Sequence, residues 1–175
     1  MTGKKEEGGF DTDDRLLGFF HSPFFLSITV GIPFCIYKLI FGALAIRAGV
    51  IFPEPYMVLG VVIIIWAALD LGMNITRAGF NIAGRETRIE FCSIAQVGRY
   101  FHVPRLFLAI DTLISFTIIC IVLWSGWITH LLPIETFFWY LATTLNLVSL
   151  SVVIIYEEAV RAKKAAMHEP AYLPQ

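Results

Sequence analysis

The sequence predicts an all-α polytopic membrane protein. Its expected plan is four transmembrane helices forming two helical hairpins, the second a duplicate of the first, with short amphipathic helices in the interface. Three observations carry that expectation. Of 175 residues, 57% are hydrophobic and 15% charged, and mean hydropathy is +0.73, whereas soluble domains hold about 45–50% apolar and about 25% charged residues. The apolar residues gather in four long runs and do not recur at the 3.6- or 2-residue spacing of half-buried elements. Each run reaches the roughly 20 residues that a helix rising about 1.5 Å per residue needs to cross about 30 Å of hydrocarbon.

The chain opens with a polar tail, residues 1–22. Its basic and then acidic start, MTGKKEEGGFDTDD, gives way to apolar residues only near Phe19. No small-residue cleavage site follows, so the tail is expected to precede an uncleaved first span. The transmembrane domain then covers 23–156, with spans expected at about 23–45, 55–75, 106–127 and 136–156, and residues 157–175 form a C-terminal tail. Strands are excluded, because so few non-alternating segments could not close a barrel.

Basic residues set the expected orientation, since Lys and Arg near the spans are retained on the cytoplasmic side. Lys4, Lys5 and Arg15 precede span one; Arg77, Arg85, Arg88, Arg99 and Arg105 lie between spans two and three; Arg161, Lys163 and Lys164 follow span four. Only Lys38 and Arg47 fall elsewhere. Both termini and the loop 76–105 are therefore expected in the cytoplasm. Tyr56, Trp124, Trp127, Trp139 and Tyr140 are expected to form an outer aromatic girdle.

A short internal repeat suggests the duplication. Phe19-Phe20-His21-Ser22-Pro23 returns as Tyr100-Phe101-His102-Val103-Pro104, and Pro53 corresponds to Pro133 at a similar offset. The two hairpins would then be related by a pseudo-two-fold axis along the membrane normal. His21 and His102 would share one depth, where contact with lipid headgroups, a quinone or haem is conceivable. The simpler reading is that each His caps backbone beside a helix-starting proline.

The loop 76–105 is longer than a turn requires. Within it, Phe91, Ile94, Gly98 and Phe101 recur at helical spacing opposite Glu90, Ser93 and Arg99, as in an interfacial helix. Its mixed charges, with Arg77, Arg85, Arg88, Arg99 and Arg105 beside Glu86 and Glu90, suit a cytoplasmic protein partner better than an anionic-lipid trap.

Lys38, Asp70 and Asp111 are the strongest functional pointers, because an ionisable residue near mid-bilayer costs at least about 2.5–3.5 kcal/mol on insertion scales. Trp66, Asp70, Asn74 and Arg77 share one helix face, so Asn74 could link Asp70 to Arg77. Placed by span edges, Lys38 lies more than about 10 Å in depth from either aspartate, so an ion pair requires a kink, which Pro33 permits. If the two carboxylates face each other, at least one must be neutral or the pair must share a cation. In span four, Thr143, Asn146 and Ser149 are expected to serve as interhelical hydrogen-bonding groups, and Ala68 with Gly72 to allow close helix approach.

The near-balanced charge, Lys+Arg 13 against Asp+Glu 14, gives no basic footprint for nucleic acid. Cys35, Cys92 and Cys120 lack metal-ligand spacing and read as apolar fillers. No phosphate-binding loop, H-E-x-x-H or G-x-S-x-G motif is present, and no cofactor or metal is expected. The expected function is a non-catalytic membrane subunit whose partners are membrane lipid, other integral membrane subunits or further copies of itself, and a cytoplasmic protein at the loop. The rival is a small oligomeric proton or ion conductor using Lys38, Asp70 and Asp111, with Asn74 and Asn146 along the path. A third reading is a haem- or quinone-binding redox subunit near His21 and His102.

Overall fold

The computed structural model describes residues 16, 18–20, 22–50, 55–85 and 89–168, with backbone alone for 163–168. Among these residues every regular element is helical. Among the described residues the main helices are α1 (Pro23–Gly49), α2 (Pro55–Ile82), α3 (Ser93–Tyr100), α4 (Pro104–Trp124) and α5 (Pro133–His168). A 3-10 turn, Trp127–His130, lies between α4 and α5. Four segments are long and apolar enough to cross a membrane: Pro23–Gly49, Pro55–Ile82, Pro104–Trp124 and Pro133–Ala162. The chain is thus an integral membrane protein of four candidate spans.

Each long helix opens on a proline, Pro23, Pro55, Pro104 or Pro133. Proline is pre-organised for the first turn, where its missing N–H has no helical partner to lose. The second span continues from the expected Ile75 to Ile82, which removes the first residues of the expected loop. The expected repeat's Pro53 and the tail residues 1–15 lie outside the described residues.

The described residues divide into two compact units, Pro23–Asn146 and a smaller one drawn from Met1–Ser22 and Leu147–Gln175. Within the smaller unit the rings of Phe20 and Tyr156 lie 5.4 Å apart. There Arg161 also approaches Glu157 and Glu158, one turn back, at 3.7 and 3.6 Å.

In the larger unit α1 is the hub. Half of its apolar window is buried, 50%, against 28% for α2 and 22% for α4. It meets α2 backbone to backbone where Gly42 faces Gly60: a Cβ on Gly42 would stand 2.9 Å from the Gly60 carbonyl oxygen, and one on Gly60 2.6 Å from that of Gly42. This is the small-residue contact that lets membrane helices approach closely. The expected pair does not serve it, because Ala68 is exposed and Gly72 faces open space.

The half of this unit near Gly42 is filled by Tyr37, Phe41, Leu44, Ile63, Val122 and Trp139, all buried. Trp139 packs edge-on against Tyr37 at 4.9 Å, and Trp127 stacks on Phe41 at 5.7 Å. Trp139 therefore belongs to the core, with half-buried Trp127 packed against its edge, whereas Trp124 and Tyr140 are exposed. At the same end Arg47 makes a two-pronged ion pair with Glu135, 2.6 and 2.7 Å. Glu135 also accepts the Leu132 N–H at 2.9 Å, closing the start of α5 as a capping-box glutamate does.

Candidate functional site

The face Trp66, Asp70, Asn74 and Arg77 is the seat of the site, and every member is engaged. At one end, the Arg77 guanidinium donates to the Ile89 carbonyl at 3.0 Å and lies over the Phe91 ring at 3.5 Å. Next, Asn74 donates from Nδ2 to the Phe91 carbonyl, 2.8 Å, and to the carbonyl of Asp70, 3.0 Å. Then Asp70 Oδ1 accepts both the backbone N–H and the hydroxyl of Ser93, each at 2.7 Å. Residues 89–93 thus run back along α2 from Arg77 to Asp70, each step fixed by a polar bond. Asn74 does not link Asp70 to Arg77 as expected; both residues turn to the returning segment.

That segment delivers α3. The Cys92 thiol caps the helix, with Sγ accepting the Ala95 N–H at 3.3 Å. Ser93 is the first helical residue, so its N–H points at Asp70 from a helix N-terminus, where negative charge is favoured. Burial, aided by the charge of Asp111 and opposed by the cap bond, pushes the Cys92 thiol up to about 12. Ser93, expected on the polar side of an interfacial helix, instead meets Asp70, while Ala95 and Gly98 are the buried residues of α3. The helix closes through His102, whose φ of 62° lies in the left-handed region. The Val103 N–H reaches back to the Gly98 carbonyl at 2.9 Å, so His102 occupies the turn position that glycine usually fills.

From the other side comes Lys38. Its ammonium donates to Asp70 Oδ2 at 2.9 Å and to Asp111 Oδ1 at 2.6 Å, and sits 4.0 Å from the centre of the Trp66 ring. All three charged residues are buried, at 1%, 1% and 5% exposure for Lys38, Asp70 and Asp111. The two carboxylates share a cation, which is one of the outcomes their charges allow. Lys38 does not lie the expected distance in depth from the aspartates, because helix register and not the span edges sets its level. The register of α1 on α2 is set by Gly42 against Gly60 and Gly31 against Asn74. It puts Lys38 level with Trp66, one turn or about 6 Å of rise from Asp70, which a lysine stem covers.

Local helix geometry assists. Where Pro33 was expected to permit a kink, α1 takes a π-helical turn over Ser27–Gly31, closed by the Ile32 N–H on the Ser27 carbonyl. A π turn widens the helix by one residue and recurs at functional sites. Gly31, at its end, abuts Asn74 so closely that a side chain there would collide with the amide.

Beside the cluster lies a cavity of about 140 Å³. Its walls include Leu26, Gly31, Phe34, Lys38, Asn74, Phe91, Leu108 and Asp111. Among the described residues no group of three or more His, Cys, Asp or Glu side chains is arranged to hold a metal ion.

The structure thus brings together Lys38, Asp70, Asn74 and Asp111. Asn146 is half-buried on α5 and does not line the cavity. Arg85, Arg99 and Arg105 are exposed, whereas Arg77 is spent on the returning segment. His102 is exposed, and His21 and Arg88 lie outside the described residues. Sequence reasoning missed Ser93 and Cys92 as members of the site, although a small polar residue before a short helical pattern is a capping signal. It also missed Trp66 as a seat for the ammonium, and the Arg47–Glu135 and Tyr37–Thr143 contacts, the latter 2.8 Å between hydroxyls. No protein-family model, curated protein or solved structure matches the chain.

Proposed function

We propose that the chain is a non-catalytic integral membrane subunit, which assembles with other membrane proteins or with copies of itself and docks a cytoplasmic partner at the loop between α2 and α4. One observation carries the reading. The buried charges converge in one cluster that ties α1, α2, α4 and the returning segment together, and beyond it the core of Phe41, Leu44, Ile63, Val122 and Trp139 holds no buried charge, its hydroxyl pair Tyr37–Thr143 being bonded to itself. A conductor needs a polar path across the bilayer; a scaffold needs rigidity, which the cluster supplies. Large apolar side chains that remain exposed on α4 and α5, such as Leu113, Phe116, Ile134 and Phe137, offer surface to lipid or to neighbouring helices. Exposed Arg85, Arg99 and Arg105 mark the loop as the polar docking face.

The orientation belongs to the same proposal: both termini and the loop cytoplasmic, by the distribution of basic residues. A cysteine placed at Gly84 should resist labelling from outside intact cells, and one at Gly49 should react. So does the duplication, which is supported by the shared proline start of α1 and α4 after matching aromatic-His motifs; superposition of α1–α2 on α4–α5 by rotation about the membrane normal would test it.

The deciding experiment pairs purification in mild detergent with flux measurements in proteoliposomes. The subunit reading expects a membrane protein recovered in fixed ratio, or a defined homo-oligomer, and no proton or cation flux. Flux that vanishes in Asp70→Asn or Asp111→Asn, with folding intact, would replace it by the conductor.

A further inference from the structure

Residues 89–103 turn back into the bundle before α4 begins. On the way in, the Ile89 carbonyl meets Arg77, the Phe91 carbonyl meets Asn74 and the Ser93 N–H meets Asp70, a climb of two turns along α2. On the way out, α3 runs down beside α4. The Cys92 thiol at its start meets Asp111, a Cβ on Gly98 would stand 2.5 Å from the Cβ of Phe107, and the Phe101 and Phe107 rings stack at 5.9 Å. Meeting Asp111 first and Phe107 later makes α3 antiparallel to α4. A helix lying flat in the membrane interface would bring both of its ends to one depth, which these contacts do not allow.

Depth follows from α4. Its 21 residues, at about 1.5 Å each, match the roughly 30 Å of hydrocarbon that a span crosses. With Pro104 at one edge, Asp111 stands two turns inside, about 10 Å, and the first turn of α3 is level with it. Non-helical backbone is tolerated at such depth only where protein satisfies its polar groups. Residues 89–96 meet that demand. Besides the bonds to Arg77, Asn74 and Asp70, the Glu90 N–H donates to Gln96 Oε1 at 3.1 Å and the Ala95 N–H to Cys92 Sγ at 3.3 Å, while the Gln96 N–H donates to the Cys92 carbonyl at 2.9 Å. A loop in water can leave such groups to solvent. Glu90, the one carboxylate of 89–93, has the charge of Arg77 close by.

The outer side of α3 presents Val97 and Tyr100, both exposed, next to a helix whose own Leu106, Ile110 and Leu113 are exposed. An open groove of about 420 Å³ is lined there by Trp66, Ile94, Val97 and Ile114, and Ile114 lies about 15 Å inside Pro104, near mid-bilayer. We propose that residues 89–103 form a re-entrant membrane element whose outer face, the groove included, is a contact surface for lipid acyl chains. Arg99, at the end of α3, then lies at the hydrocarbon edge, where a long side chain holds its charge among headgroups. The inference goes beyond the subunit reading and does not depend on whether the chain scaffolds or conducts. It confines the polar docking face of the loop to the stretch near Arg85 and to Arg99 and Arg105 at the edge.

The test uses the full chain in phosphatidylcholine liposomes, with Cys120→Ser removing the exposed native thiol and a nitroxide attached after Val97→Cys, Tyr100→Cys, Leu113→Cys or Arg85→Cys. Collisions with oxygen, which concentrates in hydrocarbon, are compared with collisions with a water-soluble nickel chelate. The expected oxygen-to-nickel ratio falls in the order Leu113, Val97, Tyr100, Arg85, with the Val97 value several-fold above that of Arg85. Ile94→Cys, deeper in the same groove, carries the reading should Val97→Cys fail to fold, and its ratio should exceed that of Tyr100. A ratio at Val97 or Ile94 equal to that of Arg85 puts α3 in water and overturns the proposal. Equal ratios at Tyr100 and at the deeper position mark a helix lying flat at the surface and overturn it as well. A label shielded from both reagents marks a protein partner on that face, which is equally contrary to it.

Discussion

The half of the larger unit around Lys38 and the half around Trp139 are held by different physics. Near Lys38, three helices and a returning segment meet through polar bonds: Lys38 with Asp70 and Asp111, Asp70 with Ser93, Asn74 and Arg77 with the carbonyls of 91 and 89. Near Trp139, α1 interlocks with α2, α5 and the 3-10 turn through shape: Gly42 against Gly60, Tyr37 against Trp139, Phe41 against Trp127. Burying apolar surface gives little drive between helices already in lipid, so association must come from close packing or from polar bonds. The comparison teaches where each is used. Packing suffices where helix meets helix, but a loop brought into the bundle carries unsatisfied backbone groups, and only polar side chains can receive them.

The comparison breaks most visibly at Lys38. Lys38→Met strands two carboxylates in a buried site, and removing one partner of a buried pair costs about 3–5 kcal/mol; reversible unfolding in detergent should show a loss of that size. Trp139→Ala in the other half should cost nearly as much, about 3 kcal/mol, from lost packing, but no change of charge elsewhere should restore it.

An effect of similar size separates two substitutions of Asp70. Asp70→Leu leaves Lys38, the Ser93 N–H and the Ser93 hydroxyl without their acceptor, at about 1–3 kcal/mol for each stranded group, whereas Asp70→Asn keeps part of the bonding. Proteolysis between α2 and α3 should quicken in Asp70→Leu well before the helices unfold, because Ser93 is the anchor of that segment. Equal protease sensitivity in the unaltered chain and in Asp70→Leu would show that the returning segment is held by something else.

Less again is expected at the far end. Arg47→Ala removes an ion pair whose arginine is 39% exposed, and such pairs contribute about 0–1 kcal/mol. At neutral pH no effect is expected from Cys92, whose contribution appears only in alkali. Its thiol ionises near 9 in the unfolded chain and only at about 12 in the folded one, so folding opposes ionisation. Stability should be unaffected below pH 9 and fall as pH rises through 9 to 12. Maleimide at pH 8 should leave Cys92 unmodified until the protein unfolds.

The spans were legible in the sequence because apolar length alone defines them, and the face Trp66, Asp70, Asn74, Arg77 because its spacing is purely local. Lys38 and Asp111 were legible as costly residues but not as partners of Asp70. Their meeting depends on helix register, which Gly42 and Gly60 set, and two lone glycines in different helices carry no signal that they face each other. Ser93 and Cys92 were hidden for a related reason: their role depends on where the loop returns, and no periodicity records that. Trp139 was not legible as a core residue because an aromatic near a span end suits either a headgroup or a core, and only its neighbour Tyr37 decides.

The central claim is that Lys38, Asp70 and Asp111 form one charge-balancing clasp, and thermal unfolding of two variants tests it most directly. Lys38→Met alone should be strongly destabilised. Lys38→Met combined with Asp70→Asn and Asp111→Asn should regain most of the lost stability, because removing every charge relieves the burial penalty that removing one creates. A combined variant no more stable than Lys38→Met, or a Lys38→Met variant as stable as the unaltered chain, would contradict it.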